Sequence, residues 1–423
     1  PAVAFGNTIE GDLARRDFTV NAMAVELTGP GGERRFVDPH GGLAALAAGT
    51  VVTPAAPQDS FADDPLRFAQ YRRDVQGQKT LNQRVTERRE QTYAGACNGQ
   101  PRPHAVSTNL GCKHNRQRFR LEANGDLVLH KWNLTSIPGP YTDRFKCEGD
   151  ARFFFELERL AVLARYPDVP PVLAYNIQAR KGKIDVRQKS FAVPLDCPIA
   201  SEQRAAFAPV VAMLRFRFEN VGDEPATAEL PISYSQRSAR SQNAYAGDGQ
   251  DDHLVPKGER EELFAHDHLL FSGPPQQRVL RARWDSTMEP EPQGRRLVFR
   301  QFLRPGAACE LLLKIPFIAL NTPDELTALE GLNFERGYRE VAAFWREQAG
   351  RGAQLACPEE HMTALHDSHL SHVLVTDCAM PDGSGLVNTS VGTSTYGNFT
   401  NEACMVVHEL DQRGLQEEAR SRL

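Results

Sequence analysis

The apolar positions of residues 116–320 follow the two-residue period of β-strands. Residues 213–219 show this best, because apolar and charged side chains alternate there. Asn124-Gly125 is a dipeptide typical of tight hairpin turns. Many short strands separated by such turns favour a β-sandwich, with a loop-rich stretch at 236–275. The predicted strands are 118–122, 127–130, 171–179, 184–193, 210–219, 226–235, 297–303 and 308–316.

The period changes to that of helices after residue 321. One predicted helix has Phe334, Tyr338, Val341 and Trp345 on a single face. A second begins at residues 358–360 (PEE), with its apolar face at Met362, Leu365, His369 and Val373. A third runs from Thr400 and ends at Gly414, and a fourth begins after it.

The first 75 residues mix both periods. Residues 11–26 predict a helix that leads into a strand, residues 35–39 a second strand, and residues 43–48 a helix that ends at Gly49. Another helix is expected near Asp63, capped by Ser60. Residues 76–115 are polar and weakly periodic, which predicts a linker or a poorly ordered segment.

The predicted fold class is therefore multidomain α+β. Residues 1–75 form a short α/β segment, 76–115 a linker, 116–320 a β-sandwich, and 321–423 a region of α-helical hairpins that does not close on itself. A chain of 423 residues can accommodate two to three domains of this kind.

Composition excludes several classes of protein. The net charge of −5 provides no general basic field for nucleic acid, so any such surface would be a local patch. The eight cysteines are scattered singly, unlike the close pairs of zinc fingers. No apolar run approaches the roughly 20 residues of a membrane span, and no secretion signal is visible. We therefore expect a cytoplasmic protein without a membrane partner.

Three short motifs carry candidate chemistry in the first 75 residues. They are residues 15–22 (RRDFTVNA), 36–42 (FVDPHGG) and 60–67 (SFADDPLR). Arginine offers paired donors to phosphate or to a base edge, and aspartate accepts from a sugar hydroxyl. Taken singly, Arg16-Asp17 and Asp64-Arg67 would equally fit ordinary ion pairs on a helix.

In this order the three motifs resemble those of tRNA nucleotidyltransferases (CCA-adding enzymes) and bacterial poly(A) polymerases. The resemblance, which covers residues 9–73, implies RNA processing: transfer of CTP and ATP to the 3′ end of tRNA. It also implies that the nucleotide ribose is contacted by Arg16, Asp17 and Asn21. Asp64 and Arg67 would then present hydrogen-bonding groups to the base edge.

The sequence departs from that family in two respects. The family holds Mg²⁺ with an Asp-x-Asp pair in an earlier motif, which these 423 residues do not contain. Downstream of Arg67, a β-rich sequence replaces the expected helical body. We therefore interpret the chain as a fragment that is inactive alone, with Mg²⁺ as cofactor only if the upstream motif is supplied and no cofactor otherwise.

Residues 116–423 resemble six-hairpin (α/α)6 glycosidases with an N-terminal β-sandwich. The similarity rests on residues 166–170 (YPDVP), 344–345 (FW) and 396–403 (YGNFTNEA). It implies a carbohydrate partner and makes Glu402 the candidate catalytic carboxylate. An acidic residue in the first turn of a helix, favoured by the helix dipole, explains Glu402 equally well. A non-catalytic β-sandwich binding protein is the remaining alternative, and neither active site is complete.

Overall fold

A computed structural model describes residues 8–14, 16, 18–25, 35–56, 107–129, 150–157, 161–236, 259–273, 275–390 and 400–423. The chain divides into two compact units, Pro1–Pro101 and Arg102–Leu423. The helix predicted near Asp63 lies outside the described residues.

The first unit contains two helices and a two-stranded sheet. Its described elements are α1 (Ile9–Leu13), a 3-10 helix (Thr19–Asn21), β1 (Ala24–Val25), β2 (Phe36–Val37) and α2 (Gly42–Ala48). The two strands pair antiparallel, and α2 ends at Gly49, whose positive φ of 64° suits glycine. The helix, strand, strand and helix predicted between residues 11 and 48 are confirmed. The small buried core consists of Leu13, Phe18, Thr19, Ala22 and Ala45.

The second unit is rich in antiparallel strands. In chain order they are β3 (Thr108–Leu110), β4 (Phe119–Leu121), β5 (Leu127–Leu129), β6 (Ala151–Phe154), β7 (Ala161–Pro167), β8 (Tyr175–Lys181), β9 (Ile184–Pro194), β10 (Val210–Asn220), β11 (Ala226–Gln236), β12 (Glu259–Glu261), β13 (Leu263–His266), β14 (Leu269–Ser272), β15 (Val279–Ser286), β16 (Glu289–Gln293), β17 (Arg296–Leu303), β18 (Ala308–Pro316), β19 (Cys378–Ala379) and β20 (Val387–Asn388).

Two sheets of eight strands each account for most of them. One has the order β13-β14-β15-β18-β10-β9-β8-β7, and the other has the order β16-β17-β11-β6-β5-β4-β3 with β12 beside β11. Both contribute to one hydrophobic core, where the Phe155 and Phe216 rings are 4.9 Å apart and those of Trp284 and Phe299 are 5.6 Å apart. The mixed α+β class with antiparallel sheets is confirmed. The β-sandwich at 116–320 and the incomplete region of α-helical hairpins at 321–423 stay predictions.

The alternation predicted for residues 213–219 is confirmed in β10. In β10, Phe216 and Phe218 are buried while Arg217 between them is exposed. The predicted Asn124-Gly125 turn joins β4 to β5, with a φ of 88° at Gly125. The loop predicted at 236–275 is wrong in its last part, because β12, β13 and β14 lie there.

The linker predicted at 76–115 is also wrong in its last part. Residues 108–110 form β3, which pairs with β4, and Lys113 and Asn115 are buried. The Asn115 side-chain amide donates to the carbonyl oxygens of Ala205 at 2.6 Å and Ala208 at 2.9 Å. Polar residues in this stretch are therefore hydrogen-bonded inside the unit, so their polarity does not mark a linker.

Six helices complete the described part of the second unit. They are α3 (Glu202–Ala205), α4 (Pro323–Gly331), α5 (Phe334–Gly350), α6 (Glu360–Thr376), α7 (Thr400–Gln412) and α8 (Gln416–Arg420). The predicted face of α5 is confirmed: Phe334, Val341 and Trp345 are buried, and the Phe334 ring lies 4.8 Å from that of Phe191 on β9. In the part of the chain that the structure describes, no helix has the length and apolar character needed to cross a membrane.

The predicted apolar face of α6 is wrong at its first three positions, because Met362, Leu365 and His369 are all exposed. Met362 and Leu365 are 51% and 60% exposed, whereas Leu370 and Leu374 are buried. The Ser371 hydroxyl donates to the Pro171 carbonyl oxygen at 2.8 Å, so this side of the helix faces the core. Contacts in the second half of α6 therefore decide its orientation.

Candidate functional site

Arg16 lies on the surface of the first unit, just beyond α1. That helix is capped by Thr8, whose hydroxyl accepts a hydrogen bond from the Gly11 N–H at 3.2 Å. The Arg16 guanidinium donates to the Asp12 carboxylate at 2.7 Å, and both side chains are about half-exposed. Because exposed ion pairs contribute little, a ligand phosphate could replace Asp12 as the partner of Arg16.

The rest of the RRDFTVNA motif separates buried from exposed side chains. Phe18, Thr19 and Ala22 are buried, and the Thr19 N–H donates to the Val52 carbonyl oxygen at 2.8 Å. Asn21 lies on the 3-10 helix and is exposed. The buried residues hold the backbone of the motif, and the Arg16 and Asn21 side chains are exposed at its surface.

Asp38 of the DPHGG motif (residues 38–42) caps the start of α2. The Asp38 carboxylate accepts from the backbone N–H groups of Gly42 at 2.6 Å and Leu43 at 3.0 Å, at the start of α2. The Leu43 and Gly42 hydrogen bonds hold the pKa of Asp38 below its usual range. A Cβ atom on Gly42 would lie 2.1 Å from the Thr19 carbonyl oxygen, so a side chain does not fit there. The two motifs are therefore in direct contact.

The remaining predicted nucleotide-binding residues, Asp17, Asp64 and Arg67, lie outside the described residues. Within the described ranges, no group of three or more His, Cys, Asp or Glu side chains could hold a metal ion.

Glu402 lies elsewhere, in the second unit, where it lines a cleft of about 670 Å³. Three elements form this cleft: the start of β3, the second half of α6, and α7, whose first turn contains Glu402. The lining residues are Ser107, Thr108, Asn109, His369, His372, Val373, Thr376, Ser390, Glu402, Met405, Val406 and Glu409.

Two ionisable groups in the cleft already have partners. The Nε2 atom of His372 is hydrogen-bonded to the Tyr175 hydroxyl at 3.0 Å. Burial, with a smaller effect from His369, lowers the pKa of His372, so its ring is neutral at pH 7. The Glu409 carboxylate contacts His369 Nδ1 at 2.8 Å and Arg413 Nε at 2.9 Å. Burial alone would raise the pKa of Glu409, but these two partners outweigh it and the pKa is lowered.

Glycoside hydrolysis uses two carboxyl groups roughly 5–9.5 Å apart. Among the described lining residues, the second carboxylate is Glu409, seven positions after Glu402 on the same helix. That spacing is about 10 Å along the helix axis, and Glu409 is already paired. Among the described residues, Glu402 thus faces the cleft without a free second carboxylate beside it.

Comparisons with known proteins concern the first unit. The family model of the poly(A) polymerase head domain matches residues 1–52. A CCA-adding enzyme of Geobacillus sp. (strain WCH70) is 39% identical over 67 residues, which is 16% of this chain and 15% of that protein. A CC-adding tRNA nucleotidyltransferase of Synechocystis sp. is 42% identical over 78 residues, 18% of this chain and 17% of that protein.

A multifunctional CCA protein of Neisseria gonorrhoeae is 46% identical over 63 residues, 14% of this chain and 13% of that protein. The matched region thus covers about 15% of the length of the first of these relatives. The N-terminal segment is similar to tRNA nucleotidyltransferases. These similarities give no support to the glycosidase-like interpretation of residues 116–423.

Proposed function

We propose that residues 9–73 bind a ribonucleoside triphosphate as the head of a tRNA CCA-adding nucleotidyltransferase does. The nucleotide would be CTP or ATP, and the RNA partner the 3′ end of tRNA. The observation that carries this proposal is the RRDFTVNA motif, which exposes Arg16 and Asn21 inside a segment that matches the poly(A) polymerase head domain.

Each residue has a separate task in this proposal. Arg16 contacts phosphate through its paired N–H donors, and Asp17 and Asn21 hydrogen-bond the ribose. Asp64 and Arg67 contact the edge of the base and select C and A. Arg16 therefore binds every nucleotide equally, whereas Asp64 and Arg67 discriminate between bases.

Equilibrium binding of CTP, ATP, GTP and UTP to the 423-residue chain tests these tasks. Arg16→Ala should weaken all four nucleotides by roughly tenfold to a hundredfold, because a charge-assisted hydrogen bond is lost. Asp64→Ala and Arg67→Ala should instead remove the preference for CTP and ATP over GTP and UTP. A measurement by titration calorimetry distinguishes the two patterns.

Arg35→Ala is the matched control. Arg35 is another exposed arginine of the first unit, and it pairs with Glu10 of α1 at 3.1 Å, much as Arg16 pairs with Asp12. Its removal should leave nucleotide affinity unchanged. If Arg16→Ala and Arg35→Ala weaken nucleotide binding equally, surface charge alone explains the effect and the proposed site is refuted.

Nucleotide transfer is a separate question from binding. The 423 residues contain no Asp-x-Asp pair of the kind that holds the catalytic metal in this family. We therefore expect the isolated chain to bind CTP and ATP without adding either to tRNA. Incorporation of labelled nucleotide by the purified chain would overturn this expectation and leave the binding proposal intact.

A further inference from the structure

The cleft of the second unit has the size and lining of a small-molecule site. Its volume of about 670 Å³ lies within the roughly 300–1,000 Å³ of ligand pockets. Val373, Met405 and Val406 give it an apolar wall. Ligand pockets typically combine such a wall with a few convergent polar groups.

Two polar atoms of the cleft are buried without a hydrogen-bond partner. One is the hydroxyl oxygen of Thr108, a residue only 8% exposed, and the other is the Oε2 atom of Glu402. A buried polar atom without a partner costs free energy, so native structures rarely keep one. A ligand with hydrogen-bond donors would satisfy both atoms.

The charges of the cleft indicate the sign of that ligand. His372 is neutral at pH 7, and the Glu409 carboxylate is ion-paired with Arg413 and hydrogen-bonded to His369. Within the described residues, Glu402 has no ion-pair partner. Its carboxylate is therefore the one charge of the described lining that is left for a ligand to balance.

We propose that this cleft binds a small organic amine with an apolar body. The ammonium group donates to Glu402 Oε2 and to the Thr108 hydroxyl oxygen. The apolar body covers Val373, Met405 and Val406. This assignment is independent of the nucleotide site, because it concerns the second unit alone.

Three probes of similar size test charge and hydrogen bonding at pH 7: benzylamine, which is cationic, benzyl alcohol, which is neutral, and benzoate, which is anionic. Calorimetry or ligand-observed NMR on the 423-residue chain measures their affinities. Benzylamine should bind best and benzoate worst. Glu402→Gln should weaken benzylamine by about tenfold or more, and should leave benzyl alcohol nearly unchanged.

Glu417→Gln is the matched control, because Glu417 is an exposed glutamate on α8, outside the cleft. It should not alter benzylamine affinity. Thr108→Val, which keeps the shape of the side chain, should weaken benzylamine severalfold. Tryptophan fluorescence checks that each variant is folded.

Several results would overturn the proposal. They are equal binding of all three probes, binding of benzoate in preference to benzylamine, no binding at millimolar concentration, or equal effects of Glu402→Gln and Glu417→Gln. If Glu402→Gln does not fold, the comparison of benzylamine with benzoate on the unaltered chain still tests the proposal.

Discussion

Replacing Lys113 by methionine should destabilise the second unit strongly, because it breaks a buried ion cluster. Lys113 has a side chain only 3% exposed, and its Nζ atom donates to Glu202 Oε2 and Glu418 Oε1, both at 2.6 Å. A third bond, to Gln348 Oε1 at 3.1 Å, completes its three donors. Methionine fills similar space and removes the charge, so Glu418 keeps a buried carboxylate without its main partner.

The expected loss of stability is about 3–5 kcal/mol, the usual cost of leaving one charge of a buried pair uncompensated. Burial alone would raise the pKa of Glu418, yet Lys113, together with smaller effects of His114 and Arg422, outweighs burial and the pKa falls to about 2 from a usual 4.5. A shift of that size corresponds to about 3 kcal/mol of interaction favouring the charged form. The expected loss of stability and the energy that corresponds to the pKa shift are therefore of similar size.

Urea unfolding followed by tryptophan fluorescence measures the effect. All three tryptophans of the chain lie in the second unit, so the signal reports on that unit. Lys183→Met is the matched control: Lys183 also has two carboxylate partners, Asp223 and Glu224 at 2.5 and 3.2 Å, but it lies on the surface. Solvent screens this second cluster, so its removal should leave stability nearly unchanged.

A loss below about 1 kcal/mol for Lys113→Met, or equal losses for both lysines, would refute the reasoning from burial. The double variant Lys113→Met with Glu418→Gln adds a further check. It removes the stranded charge, so it should recover part of the lost stability.

Two more predictions concern acid stability and backbone packing. Burial and the neighbouring Arg422 lower the pKa of His114 to about 3, and Glu418 has a pKa of about 2. Both groups therefore bind protons more readily in the unfolded chain. Stability should fall through His114 as the pH drops below 6.5, and through Glu418 as the pH drops below 4.5, each by up to roughly 1.4 kcal/mol per pH unit. His114→Asn should reduce the slope in urea titrations between pH 7 and 5. Gly42→Ala should destabilise the first unit by about 1–3 kcal/mol, because the added methyl group meets the Thr19 carbonyl oxygen. Faster amide exchange over residues 18–25 and 42–52 would show it, and unchanged exchange would contradict the contact.

Sequence periodicity predicts a strand most clearly where its two faces meet different environments, as in β10. In β10, buried Phe216 and Phe218 alternate with Arg215 and Arg217, so the pattern is visible. The β13–β14 hairpin was missed because its turn residues, Asp267 and His268, adopt positive φ angles of 47° and 60° without a glycine to mark the turn. Strand β3 was missed because its neighbours are polar residues that bond inside the unit.

The two candidate sites differ in how far sequence could predict them. Arg16 and Asn21 belong to one short motif, so spacing alone groups them. Thr108 and Glu402 come from β3 and α7, far apart in the chain, and only the folded structure brings them to one cleft. The predicted carboxylate was visible in the sequence, but its unsatisfied oxygen and its neighbours were not.

The ion pair between Lys113 and Glu418 also has a consequence for synthesis on the ribosome. The two residues are 305 positions apart, which at roughly 5–20 residues per second corresponds to about 15–60 seconds of elongation. During that interval Glu418 has not yet been synthesised, so the Lys113 ammonium lacks this partner. The strands around Lys113 can then meet other chains before the unit is complete. We expect a higher yield of native protein at low growth temperature, where aggregation slows more than elongation does. A chaperone that covers the early strands should have the same effect.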